Sequence, residues 1–377
     1  MSARLRRSIC IVLMSAVGPE LASAQAAAIR GDVPSCSECS IELELVQTLS
    51  GRTLFLVNEP YDVAVMRRGW WLLTSLQAPT EIFAFDFEEG RLRRRLGRRG
   101  EGPGEFRFIR FIRVGEDDTV RAYDLENQRV TTFSAELALL STDHLEWGWP
   151  QELDEMENGR LVMAEDSHRG PQLGLPLHYL EGGKRVLSFG AEPEEYPGRY
   201  SDLMWRSLAP SPDGTLWTSR MTQYLLEQWD STGRRLRAIE RHIRWFEPHS
   251  EFGIDFDDPS KEPGPGVRGL RVDEAGRIWV AVHTSDRRWK DALGQVEGMY
   301  GRQTTGSTDD NVYMDTMVEV IDPVENTLLA SARFDPALRL VAGTSYAWAY
   351  RQDERGYPFV DLYRLTLAGG SVPTQRH

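Results

Sequence analysis

The chain has 377 residues, 41% of them apolar and 27% charged, and a formal charge of −13. That is enough apolar sequence for a substantial core, and the acidic balance argues against nucleic acid or an anionic membrane surface as the main partner. Past the N-terminus no stretch is long and apolar enough to span a membrane as a helix.

In chain order, the first element reads as an export signal. Arg4, Arg6 and Arg7 give a basic start, residues 8–18 an apolar stretch too short to span, and Ala22-Ser23-Ala24 a small-residue cleavage site before Gln25. Cleavage after residue 24 removes three Arg and Glu20, taking the formal charge to about −15. No Cys follows the apolar core as in a lipoprotein, so the expectation is a periplasmic or secreted protein without a membrane span. Residues 25–40 carry Cys36-Ser-Glu-Cys39-Ser40. Covalent haem attachment needs His where Ser40 stands, and a zinc site needs two more ligands at matching spacing. In an exported chain, a local disulfide pinning the N-terminus is the expected state.

From residue 41 a repeat governs the chain. Two apolar residues two apart are followed four positions later by Gly or Asp, and then by a second apolar run. Val63, Val65 and Gly69 fit, as do Ile112, Val114 and Asp118, and Leu270, Val272 and Gly276. Residues 153–159 fit in part, and residues 208–214 fit in spacing. Each match has a further strand downstream, often with a last strand after a turn. Residues 338–342, 346–351 and 359–367 supply three strands of a sixth unit, and alternating Ile41-Glu42-Leu43-Glu44-Leu45-Val46 offers its fourth. The fold expected is all-β: a six-bladed β-propeller of four-stranded antiparallel blades, its ring closed by an N-terminal strand so that no edge stays open. The expected division is 1–24 signal peptide, 25–40 N-terminal segment, 41–370 a single propeller domain and 371–377 a tail.

Gly102-Pro103-Gly104-Glu105-Phe106, the strand pair after it and Asp124 resemble the NHL-type repeats of six-bladed propellers. The Cys-x-x-Cys before Ile41 is similar to exported bacterial propellers of that group. The resemblance covers most of the mature chain, is strongest in the second unit, and implies the fold more than any activity.

Blade topology sends the loops between second and third strands, and those between blades, to one face. The long segments, residues 96–106, 165–176, 190–202, 241–267 and 284–311, all fall there, which marks it as the working face. Second-strand ends should approach the axial opening on that face: Ser75, Asp124, Glu165, Arg220, His283 (or its neighbour Val282) and Arg351. Such a ring suits a polar small molecule, a glycan or an envelope protein, with an anionic group toward Arg220 and Arg351. The alternative is a hydrolase or lyase of the lactonase kind, an architecture that implies an axial divalent cation such as calcium. Arg220 and Arg351 would repel that cation, so binding ranks first, with no cofactor or metal. His242 and His249 read as loop packing. The acidic stretch 255–258 with Glu262 lacks the glycine and terminal Glu of an EF-hand. No Gly-x-Ser-x-Gly occurs, and the glycines at 102 and 104 lack the Lys-Ser/Thr of a phosphate loop.

Overall fold

The computed structural model describes residues 26–50, 54–165, 174–190, 204–249, 252–254, 258, 261–298, 301–306 and 312–369. The expected signal peptide and tail lie outside the described residues, as do most of 165–176 and 190–202.

Six sheets follow one another around an axis; four are each formed by one continuous stretch of chain, and blades 4 and 6 each also take up a strand from near the N-terminus. The innermost strands are Pro60–Met66, Ile109–Val114, Glu152–Glu155, Arg206–Pro210, Gly266–Val272 and Arg339–Leu340, for blades 1 to 6. The second strands are Trp70–Ser75, Val120–Asp124, Leu161–Ala164, Leu216–Arg220, Ile278–Ser285 and Tyr346–Gln352. These are covered on both faces by neighbouring blades, which is why they read as apolar runs instead of alternating. Trp71, Leu72 and Leu73 of blade 1, and Ile278 and Val280 of blade 5, are fully buried. Blade 2 ends in Leu139–His144, an exposed outer strand that carries no sequence signal of its own. The long segment of blade 5 holds a separate hairpin, Leu293–Gly298 paired with Gly301–Gly306.

The glycine-rich stretch of blade 2 is a lock between blades. Phe106, fully buried, packs with Ile82 and Leu96 of blade 1 and Ile109 of blade 2. Its backbone is clamped to Arg98 and Gly100, and Glu105 accepts the Gly102 N–H at 2.8 Å. Gly97 (φ 90°) must be glycine here, because a Cβ would lie 2.5 Å from the Thr80 carbonyl oxygen.

The N-terminal residues form a strap across three blades. Ala27–Arg30 pairs in parallel with Arg235–His242, adding a fifth strand to blade 4. Ser35 then donates its N–H and hydroxyl to the Leu328 carbonyl of blade 5, at 2.7 and 2.9 Å. Ser40–Leu49 finally pairs antiparallel with Pro358–Ala368 as the outer strand of blade 6. Beneath the strap, Arg241 and Glu319 form a fully buried ion pair at 2.7 Å that also holds the Tyr224 hydroxyl. Arg241 reaches the strap too, donating to the Gly31 carbonyl at 2.6 Å. Blades 4 and 5 and the strap therefore share one buried charge pair.

Cys36 and Cys39 form a disulfide at the strap's turn, which packs so closely on Gly369 that a Cβ there would meet the Glu38 carbonyl at 1.9 Å. The bond closes a loop of sequence separation 3, so it removes little freedom from the unfolded chain. Changing both cysteines to Ser should cost about 2 kcal/mol or less in a denaturant titration. Protein isolated without reductant should show no thiol toward a thiol-reactive dye when unfolded.

Candidate functional site

The inner strands enclose a cavity of about 410 Å³ on the axis, and every blade lends residues to its wall. Its shape depends on a repeated irregularity. In blades 1, 2 and 5 the inner strand carries a bulge where it enters the sheet: between Pro60 and Asp62, between Ile109 and Phe111, and between Val267 and Gly269. A bulge inserts one unpaired residue and re-aims its side chain. The three inserted residues are Tyr61, Arg110 and Arg268, and all three line the cavity. The Arg110 guanidinium lies 4.4 Å from the Tyr61 ring centroid and donates to its hydroxyl. Arg268 lies between Trp205 and Phe252, 5.2 and 5.1 Å from their ring centroids.

Carboxylates face these cations. Arg113 joins Asp62 of blade 1 at 2.7 Å to Asp154 of blade 3 at 3.3 Å, and donates to the Leu153 carbonyl. Asp62 also accepts the Ile112 and Val63 N–H groups, at 2.8 and 3.0 Å. This clasp ties three inner strands together. Three carboxyls around one guanidinium are not fully compensated, and burial pushes all of them up: Asp154 to about 6, Glu152 to about 7, and Asp62 above its ordinary value. Glu152 differs from the two aspartates because, among the described residues, no N–H or O–H donates to its carboxylate.

The raised Glu152 carboxyl has a stability consequence. Between the ordinary value of 4.5 and about 7 the folded protein holds a proton that the unfolded chain has lost. Stability therefore falls as pH rises through that window, and the whole cost is present above it. Glu152→Gln should raise stability at pH 8 by about 2 kcal/mol, with little gain at pH 4.5, read from urea titrations at the two values.

The second-strand ends singled out from sequence lie elsewhere. Asp124, fully buried, accepts the N–H groups of Arg107 and Phe108 (both 3.0 Å) and the Asn127 amide (2.7 Å), so it holds the glycine-rich lock. Glu165 binds Arg185 at 2.6 Å and the Trp149 N–H at 2.9 Å. Arg220 meets Gln223 at 3.0 Å and Glu227 at 3.5 Å. His283 Nε2–H donates to the Leu338 carbonyl at 2.9 Å. Arg351 pairs with Asp361 at 2.6 Å, over the Phe359 ring. Ser75 donates to the Val57 carbonyl. None of them lines the cavity. A second strand sits one strand spacing, about 4.8 Å, farther from the axis, and there Asp124, Glu165 and His283 tie down loops, while Arg351 pairs with the neighbouring strand of its own blade. The sequence expectation did not single out Arg110 and Arg113, which stand inside an apolar run, or Arg268, which stands just before the fifth repeat match. The signal was present: Arg recurs inside Phe108-Ile109-Arg110-Phe111-Ile112-Arg113, where a buried strand should carry none.

On the opposite face a groove of about 900 Å³ lies under the disulfide, between the strap and the turns of blades 4 and 5. Its wall is mostly turn residues, and its Arg237 is already spent on the Trp217 ring and the Pro323 carbonyl. The axial cavity, where opposite charges from several blades converge, is the stronger candidate. Among the described residues no three His, Cys, Asp or Glu side chains are grouped to hold a metal ion.

Residues 48–164 match the model of a family described as a 6-bladed beta-propeller. No curated protein matches the sequence. Among solved structures, a Bacteroides fragilis protein whose name marks it as a candidate for export aligns with TM-score 0.51 and 10% identity, over 90% of this chain and 99% of its own. Aldose sugar dehydrogenase of Streptomyces coelicolor aligns with TM-score 0.46 and 16% identity, over 86% and 98% of the two chains. Virginiamycin B lyase of Staphylococcus aureus aligns with TM-score 0.45 and 12% identity, over 86% and 100%. At such identities these likenesses concern the fold. With its six sheets around one axis and the family match over residues 48–164, the chain is a six-bladed β-propeller.

Proposed function

We propose that this propeller is an exported binding module that holds a small polar molecule in its axial cavity, with an anionic group of the ligand toward Arg110 and Arg268. The observation that carries this reading is the bulged entry of three inner strands, which aims Tyr61, Arg110 and Arg268 into one space. A bulge interrupts the ladder, and bulges recur beside functional sites. A guanidinium donates two parallel hydrogen bonds to a carboxylate, and Tyr61 and Trp205 add flat apolar surface beside it. At about 410 Å³ the cavity has the volume of a small-metabolite site. Export is supported by the Cys36–Cys39 disulfide, since such bonds persist in oxidising compartments. Among the described residues no helix is long and apolar enough to cross a membrane.

Calorimetry with a panel of small carboxylates and acidic sugars tests the reading. At least one should bind, and Arg268→Ala should weaken it by about tenfold or more. An Arg364→Ala variant, on the outer part of blade 6, should bind as the parent does. Equal loss in both variants, or binding untouched by Arg268→Ala, would sink the axial assignment.

A further inference from the structure

We propose that the ligand of this cavity is a zwitterion of the amino-acid class, its ammonium group received by Glu152, Gln151 and Ser207 while its carboxylate meets Arg110 and Arg268. The proposal deepens the reading of the axial cavity as a binding site and rests on it.

The observation behind it is separate from the arginines. Gln151 and Ser207 are 8% and 3% exposed, both line the cavity, and among the described residues neither Gln151 Oε1 nor Ser207 Oγ has a hydrogen-bond partner. Glu152, beside Gln151 in the chain, has a carboxylate that is influenced only by burial and by charges at a distance. The inner strands of blades 3 and 4 that carry these groups pack against each other. Buried polar atoms without partners are costly to fold, so Gln151 Oε1 and Ser207 Oγ, with the half-buried Glu152 carboxylate beside them, await a donor-rich group. An ammonium brings three N–H donors and no acceptor.

The charges narrow the choice further. A plain carboxylate would pair with the arginines and set its own oxygens against acceptors. A plain amine would satisfy the acceptors and meet two guanidinium groups. A molecule that carries both charged groups on one carbon answers both walls. It also adds no net charge to a cavity where Asp62, Asp154 and Glu152 already face Arg110, Arg113 and Arg268.

Proton linkage gives a signature. Glu152 is faced by Asp62 from blade 1, Arg110 and Arg113 from blade 2, Arg268 from blade 5 and Asp154 from its own strand. An arriving ammonium favours the ionised carboxylate, so below neutral pH the Glu152 proton leaves to solvent as the ligand binds. With that carboxyl at about 7 in the empty protein, affinity should be about tenfold higher at pH 8 than at pH 6.

The test is calorimetry of the full mature chain at pH 6 and pH 8 with the common L-amino acids. Each binder is compared with the acid in which hydrogen replaces its amino group, such as propionate for alanine or glutarate for glutamate. The expected result is that at least one amino acid binds, its deaminated partner is about tenfold weaker, and heats at pH 6 vary with buffer ionisation enthalpy. Ser207→Ala and Gln151→Leu should each weaken the amino acid about threefold or more and leave the deaminated acid unchanged. Deaminated acids that bind as tightly as their amino acids overturn the zwitterion and leave the anion reading standing. Binding of neither class to protein with an unchanged melting curve overturns both.

Discussion

Protein lacking residues 26–50 should lose cooperative unfolding or melt far below the intact chain. The deletion takes away the outer strand of blade 6, whose ten residues run beside Pro358–Ala368, and with it buried Ile41 and Leu49. It also strips the parallel strand from blade 4 and the Gly31 carbonyl from the buried Arg241. Two strand edges would lie open to pairing with other chains. A loss on the order of 5 kcal/mol or more is expected, comparable with the whole stability of an ordinary domain. Thermal melts and light scattering check it: an unchanged melting temperature with no aggregation would show that the strap is an ornament.

Arg113→Met should be the most damaging single substitution in the cavity, and its cost should depend on pH. It leaves Asp62 and Asp154 buried with no cation beside them and frees the Leu153 carbonyl. Removing one member of a buried ion cluster costs about 3–5 kcal/mol, and that is the expectation at pH 8. Near pH 5 the loss should be markedly smaller. Asp154 and Glu152 already titrate at about 6 and about 7, and without Arg113 they take up protons still more readily and become neutral. The sign is set by the direction of these shifts: the variant's deficit grows as pH rises through 6 and 7. Urea titrations across that range would decide it, and a deficit independent of pH would mean that the clasp works by packing alone.

The blade repeat was legible because second strands are buried on both faces, so Trp70-Trp71-Leu72-Leu73 or Ile278-Trp279-Val280 stands out against polar turns. The outer strand of blade 2 was not, since five of its six residues are exposed and nothing selects an alternation. Nor was the Ala27–Arg30 strand: four residues added to an edge by backbone hydrogen bonds leave no side-chain pattern. The site was lost at finer grain. A one-residue bulge exchanges the two faces of a strand, and composition does not announce it. Arg110 stands inside an apolar run and Arg268 just before a repeat match, so neither stood out, while Asp124 and Arg351 at the strand ends drew attention as conspicuous charges. Asp124 holds a loop and Arg351 pairs with the adjacent strand, whereas the inner strands carry the convergent charges.

The strap has a consequence for how the molecule comes into being. Thr48 donates to Asp361 across 313 positions of sequence, so some of the earliest residues to be synthesised find their partners only among the last. Until residue 368 is available, Ser40–Leu49 is an alternating strand with nothing to pair with, and blade 6 is one strand short. Closure over such a separation makes assembly slow and leaves sticky edges exposed meanwhile. A chain stalled or clipped before Pro358 would therefore be not a five-bladed protein but an unclosed one, open at both ends and suited to clumping with its own kind. The integrity of the two termini should govern the yield of soluble protein more than any residue in the central blades.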